Sequence, residues 1–302
     1  MQEFEARAIS PQHYELGECC RWDEARNELS WVDVLKGRFF RAVANPELSI
    51  VSSYQVEGFL SAVAPYRLRS DGWIIATNQS ISRLFESGDV EELARPEARN
   101  SPSVRMNDGL CDPWGRFLVG SMALDVALGR GSFYRFEVGR EPELLFSSVT
   151  VSNGVGFSPD ARTMYYVDSG PGTVHAIAVD ANGALGERNL FLYFDPREVL
   201  TPDGLCVDED GCLWVAFWDG GEVRQFAPSG EQLSRVVLPV SRPTSCAIGG
   251  ESGTTLFITT ARDGLNERQI SKEPDAGRVF SVDVGVRGLK LNAFGPGSGP
   301  RD

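Results

Sequence analysis

Short apolar, aromatic-rich runs, each opened by Asp, Asn, Ser or Gly, recur along the chain. They read DEARNELSWVDV (23–34), SDGWIIAT (70–77), DPWGRFLVGSM (112–122), SPDARTMYYVDS (158–169), DEDGCLWVAFW (208–218) and GESGTTLFITTA (250–261). The opening residues suit tight hairpin turns. The runs are too short for a typical helix and rich in β-branched and aromatic types, the composition of buried strands. Aligned on their first apolar strand position they give Leu29, Ile74, Phe117, Met164, Leu213 and Leu256, spaced 43 to 49 residues apart. Further strand-like pieces, such as GTVHAIAVD (172–180) and GEVRQFAP (221–228), lie between them. Several strands per repeat at a period in the forties is the pattern of propeller blades. A β-sandwich spaces its turns about 8–12 residues apart but carries no second, longer period. The pattern predicts an all-β, six-bladed propeller, one domain over 1–302, closed by a first strand near EFEARAIS pairing with the last blade. The C-terminal GPGSGPRD (295–302) has no apolar side chain to bury and is expected to form a tail.

Composition narrows the class. With 42% hydrophobic and 24% charged residues over 302 positions, the chain can bury a large core. No stretch approaches the roughly 18 apolar residues of a membrane-spanning helix. MQEFEARAIS lacks the basic and apolar regions of a secretory leader, so the expected location is the cytoplasm. The formal net charge of −13 repels nucleic acid and anionic membranes at long range and suits a soluble protein that holds a cation. A monomer or small homo-oligomer is the expected state. The six cysteines, Cys19, Cys20, Cys111, Cys206, Cys212 and Cys246, show neither a CxxC spacing nor a neighbouring His. They are expected to be reduced thiols in or near the core.

Histidine chemistry is poorly supplied. His13 and His175 are the two histidines, and His175 falls in a strand pattern. No GxSxG elbow, P-loop or HExxH motif is present. What remains is oxygen chemistry where strands leave turn-like segments: Leu16-Gly17-Glu18, Val151-Ser152-Asn153-Gly154 and Thr201-Pro202-Asp203-Gly204. These lie in different repeats, so a radial arrangement would bring all three to the central channel. A Glu, an Asn and an Asp form an all-oxygen set that suits a hard cation such as Ca²⁺. On spacing alone, Asn-Gly and Asp-Gly also read as ordinary β-turns.

Five ordered segments carry a family resemblance from about Tyr14 to about Gly288: LGECCRWDEARNELSWVD (16–33), RMNDGLCDPWGRFLVGSM (105–122), SNGVGFSPDARTMYYVDS (152–169), PDGLCVDEDGCLWVAFWDGGEVRQF (202–226), and RPTSCAIGG (242–250) with TTARDG (259–264). In these the chain resembles the SMP-30/gluconolactonase/regucalcin-like family of propeller proteins, which includes sugar lactonases. The resemblance implies hydrolysis of a sugar lactone with one divalent metal held by Glu18, Asn153 and Asp203. Asp203 would also be the general base. It further implies substrate contacts from Arg105 and Asn107, and from Asp125, although GSMALD here ends in Asp where relatives place Glu. Ca²⁺ is the first expectation, with Zn²⁺, Mn²⁺, Mg²⁺ or Fe²⁺ as alternatives. Cys19-Cys20 replaces the family's Gly-Pro after the metal-binding Glu, which loosens that loop and puts two soft ligands near the site. A calcium-dependent phosphotriesterase and a non-catalytic metal- or sugar-binding propeller are the competing readings on the same fold. A strictosidine-synthase-like propeller would lack the metal set.

Overall fold

The six repeated runs form the second strands of six blades, and Leu29, Ile74, Phe117, Met164, Leu213 and Leu256 are all fully buried there. These positions come from a computed structural model of the protein, which describes residues 1–67, 72–97, 103–195, 197 and 200–296. Each blade is an antiparallel sheet whose strands follow one another outward from the axis. The innermost strands are Gly17–Asp23, Leu60–Pro65, Val104–Cys111, Ser152–Phe157, Thr201–Val207 and Pro243–Gly249, in blades one to six. Each touches the next, and the sixth returns to the first. Because every blade has the same topology, the six inner strands run the same way along the axis. Their first residues therefore share one face of the disc.

Two chain ends hold the ring shut. Arg7–Ala8 pairs antiparallel with Phe280–Asp283 as the outermost strand of blade six, the closure expected of an N-terminal strand. Gln2–Glu5 does something different: it lies parallel on Gln232–Val237 and adds a fifth strand to blade five. The C-terminal segment crosses the opposite face. Gly288 bridges to Asp208 in blade five, and Phe294 is buried between Tyr66 and Phe136 of blades two and three. Gly295 is held by its N–H on the Gly115 carbonyl at 2.9 Å; residues 297–302 of the expected tail lie outside the described residues.

Between blades, aromatic side chains fill the seams that widen away from the axis. Phe133 of blade three meets Tyr166 of blade four at 4.8 Å, and Phe194 meets Phe217 at the same distance beside blade five. Burying each such ring contributes about 1.5–3 kcal/mol. The seams are the core, and they leave the axis free for polar side chains. All six cysteines are free thiols, five of them buried.

Candidate active site at the channel mouth

All six inner strands carry one extra residue near their start: in blades two and six two steps match one, between Leu60 and Ala62 and between Pro243 and Ser245. In the other four, between Glu18 and Arg21, Met106 and Gly109, Ser152 and Val155, and Pro202 and Leu205, three steps on the inner strand match two on its neighbour. Each is a β-bulge with one extra residue, which turns side chains out of the normal alternation. The bulged pairs are Cys19-Cys20, Asn107-Asp108, Asn153-Gly154 and Asp203-Gly204. The Asn-Gly and Asp-Gly dipeptides are therefore not hairpin turns. Their glycines serve close strand approach: a Cβ on Gly154 would stand 2.6 Å from the Leu205 nitrogen, and one on Gly204 2.8 Å from the Ser245 Cα.

The entries to two of these strands are pinned by the same device. Asp33 ends the second strand of blade one and accepts the Glu15 N–H at 2.9 Å and the Leu16 N–H at 3.3 Å. Asp168 ends the second strand of blade four and accepts the N–H groups of Thr150 and Val151 at 3.1 and 3.0 Å. Both residues hold the backbone just before a bulge.

At the mouth the side chains form a connected set. The Asn153 Nδ2 donates to Ser169 Oγ at 2.8 Å, which turns its Oδ1 to accept from Asn107 Nδ2 at 2.9 Å. Asn107 Nδ2 also donates to the Ser152 carbonyl at 2.8 Å. Arg105 Nη1 donates to Asn107 Oδ1 at 2.6 Å and to the Met106 carbonyl at 2.9 Å. Its guanidinium lies 5.8 Å from the Phe59 ring centroid and makes no ion pair among the described residues. Deeper, Arg21 Nη2 contacts Asp108 Oδ1 at 3.4 Å and the Gly109 carbonyl at 3.2 Å.

The two carboxylates are in an unfavourable field. Asp203 and Asn153 are buried, 5% and 6% exposed, whereas Glu18 is half-buried. Burial, then the nearby charge of Asp108, pushes Glu18 up to about 8 against the pull of the Cys19 N–H, Arg105 and Arg21. Burial, then Glu18 and Asp108, holds Asp203 well above the ordinary carboxylate range, opposed by Arg105 and the Gly204 N–H. Arg105 is itself brought down to about 10 by burial, despite Glu18, Asp203 and Asp263. Asp203 Oδ1 is buried with no hydrogen-bond partner.

Glu18, Arg105, Asn107, Asn153 and Asp203 thus gather at one end of the channel. Asp125 does not join them: it is exposed in the loop after the Phe117–Ala123 strand, and its carboxylate accepts the Ala127 N–H at 3.2 Å. That loop is on the same face, since Val104 pairs with Ala123. Residues 98–102, which precede the Val104–Cys111 strand, lie outside the described residues. Sequence reasoning missed Asp108, Arg21 and Ser169, and the pinning residues Asp33 and Asp168. The last two were signalled by the Val-Asp that ends two of the repeated runs; Asp108 stood inside the quoted RMND. A cavity of about 780 Å³ opens at the far end of the channel, lined in part by Arg21, Cys206, Cys246 and Leu289. None of Glu18, Asn153 or Asp203 lines it.

The mouth residues fit a hard divalent cation. The orphaned Asp203 oxygen, the Glu18 carboxylate raised by burial and then by the Asp108 charge, and the neighbouring Asn153 amide oxygen make the all-oxygen set that such an ion takes. Among the described residues no three His, Cys, Asp or Glu side chains converge closely enough to hold a metal, so an ion here needs Asn153 and water besides the two carboxylates. The thiols of Cys19 and Cys20 are engaged elsewhere, on Val63 and Phe257 carbonyls.

Fold and mouth together define a six-bladed propeller with an oxygen-lined site on its axis. The chain belongs to the SMP-30/gluconolactonase/LRE-like family, whose sequence model matches residues 16–262. It is 32% identical over 302 residues to regucalcin of Xenopus laevis, covering 97% of this chain and 99% of the relative. It is 33% identical over 280 residues to 6-deoxy-6-sulfogluconolactonase of Pseudomonas putida, covering 92% and 94%. Among solved structures, the calcium-binding protein regucalcin from Agrobacterium tumefaciens superposes with a TM-score of 0.89 at 25% identity, over 97% of this chain and 98% of the other.

Proposed function

We propose that this protein hydrolyses a sugar lactone to the open hydroxy acid, with a divalent cation held by Glu18, Asn153 and Asp203. Family membership and the Pseudomonas relative named as a sulfogluconolactonase support the reaction class. The observation that carries the site is the buried, unpartnered Asp203 Oδ1 beside Glu18. Calcium is favoured by the all-oxygen donor set and by the Agrobacterium neighbour described as calcium-binding.

A lactone is a cyclic ester, and opening it needs a nucleophile at the carbonyl carbon and relief of charge on the carbonyl oxygen. A bound divalent ion would polarise that carbonyl, an effect worth several kcal/mol in such sites. Asp203 accepts the proton of the attacking water; its Oδ1 is buried and has no hydrogen-bond partner that would compete for that proton. The bond from the acyl carbon to the ring oxygen then breaks, and the proton on Asp203 passes to that oxygen. Arg105 spends Nη1 on Met106 and Asn107, which leaves its other N–H groups for the hydroxyl oxygens of the sugar. Asn107, fixed on Ser152 and Asn153, holds that guanidinium in place.

The test is acid release from a panel of five- and six-membered sugar lactones, first with chelated protein, then with Ca²⁺, Mn²⁺, Zn²⁺ or Fe²⁺ restored. Ion-dependent turnover is expected, and Asp203→Asn should lower it by about 100-fold or more. Silence across the panel with ion bound would sink the lactonase reading, and full turnover in Asp203→Asn would sink the base assignment.

A further inference from the structure

Cys19 directly follows Glu18 and holds a left-handed backbone conformation, φ +51°. Non-glycine residues adopt it at a cost, and where they do the surroundings enforce it. Here the enforcing contact is on another blade. Cys19 Sγ accepts the Val63 N–H at 3.2 Å and donates to the Val63 carbonyl at 3.6 Å.

Val63 lies in the innermost strand of blade two, which pairs on one side with Trp73–Thr77 and has no strand on its axial side. A backbone N–H and C=O on that free edge, buried beside the axis, are orphaned unless a side chain meets them. One thiol meets both. The same left-handed step turns the Cys19 N–H back onto Glu18 Oε2, at 3.3 Å. Cys20 reaches the opposite way: its N–H donates to Ser245 Oγ at 3.3 Å and its Sγ to the Phe257 carbonyl at 3.7 Å, both in blade six. Adjacent cysteines therefore tie the Glu18 bulge to the blades on either side.

We propose that Cys19 is a positioning residue for Glu18: its thiol clips the bulge to Val63 and so fixes the carboxylate in the channel before any ion binds. The positioning half of this rests on the ion-site reading above; the clip itself does not.

The experiment separates the two. Cys19→Gly keeps the left-handed backbone without strain and removes the thiol, so the variant is expected to fold. In chelated protein, hydrogen exchange at the Val63 amide should become faster in Cys19→Gly than in wild type, and be partly restored in Cys19→Ser. Calorimetric Ca²⁺ affinity should fall about tenfold or more in Cys19→Gly, as for loss of a residue that orients a ligand. At saturating Ca²⁺ its kcat on a lactone should recover. Unchanged Val63 exchange would overturn the clip. Faster exchange with unchanged Ca²⁺ affinity would overturn the positioning role and leave a packing contact. A wild-type protein that binds none of the four ions would overturn the positioning role together with the proposed function, while the exchange data would still decide the clip.

Discussion

At the residue scale, the mouth depends on groups that touch neither ion nor sugar. Ser169 is the plainest case, because its hydroxyl decides which end of the Asn153 amide faces the channel. In Ser169→Ala the buried Nδ2 loses its acceptor, a change that costs about 1–3 kcal/mol. We expect a lower Tm and weaker Ca²⁺ binding by calorimetry; unchanged affinity would show that Asn153 keeps its orientation without help. His175 belongs to the fold instead. It is half-buried, its Nδ1 has no partner, and burial followed by the Arg188 charge sets its pKa below the ordinary imidazole value. A depressed folded pKa means that the unfolded chain takes up the proton first, so stability is lost as pH falls below about 6.5. Thermal melts from about pH 7 to about pH 5 should decline less steeply in His175→Gln than in wild type. Parallel curves would show that this side chain titrates alike in both states.

At the element scale, the inner strands are what make a site out of a ring. An unbroken strand sends alternate side chains into the seams, and a single extra residue changes which atoms reach the axis. The price is crowding where bulged strands meet, and only glycine fits at Gly154 and Gly204. Gly154→Ala would place its Cβ 2.6 Å from the Leu205 nitrogen and 2.7 Å from the Asp203 carbonyl oxygen, forcing the inner strands of blades four and five apart. We expect a loss of about 1–3 kcal/mol in a denaturant melt, the range for overpacking, with activity falling further than stability because Asp203 moves with its strand. An unshifted midpoint would mean that the two strands have slack.

Across the whole molecule, the charges of Glu18, Asp203 and Asp108 come together with those of Arg105 and Arg21 near the axis. Without an ion, burial and like charge disfavour the ionised form of both carboxyl groups, whereas the proposed ion on Glu18, Asn153 and Asp203 would join blades one, four and five at the axis. Excess EDTA should therefore lower the Tm, and free Ca²⁺ at about 100 times its Kd should restore about 2.7 kcal/mol. An EDTA melt identical to the untreated one would remove any structural part for the ion. The N-terminal strands and Phe294 act at the same scale, joining the chain ends to blades far from them in sequence.

The blade count was legible in the chain because each blade must bury its second strand on both faces. That need writes a dense apolar run once per repeat, and Leu29 through Leu256 mark it at zero exposure. Glu18, Asn153, Asp203, Arg105 and Asn107 were named through the family resemblance; the structure brings their side chains to one mouth, and their roles are the proposal made above. What spacing could not supply was the bulge. Asn153-Gly154 reads as a turn in any local window, and its glycine makes sense only against Leu205, some fifty residues away. Nor could local pattern show that Gln2–Glu5 pairs with blade five while Arg7–Ala8 pairs with blade six, because both are short strands with unbiased edges. The same holds for Cys19, whose partner Val63 is a backbone group on another blade. Periodic burial is a property of one segment and leaves its mark in that segment. Contacts between free edges, bulges and neighbouring blades exist once the ring has closed, and no single segment records them.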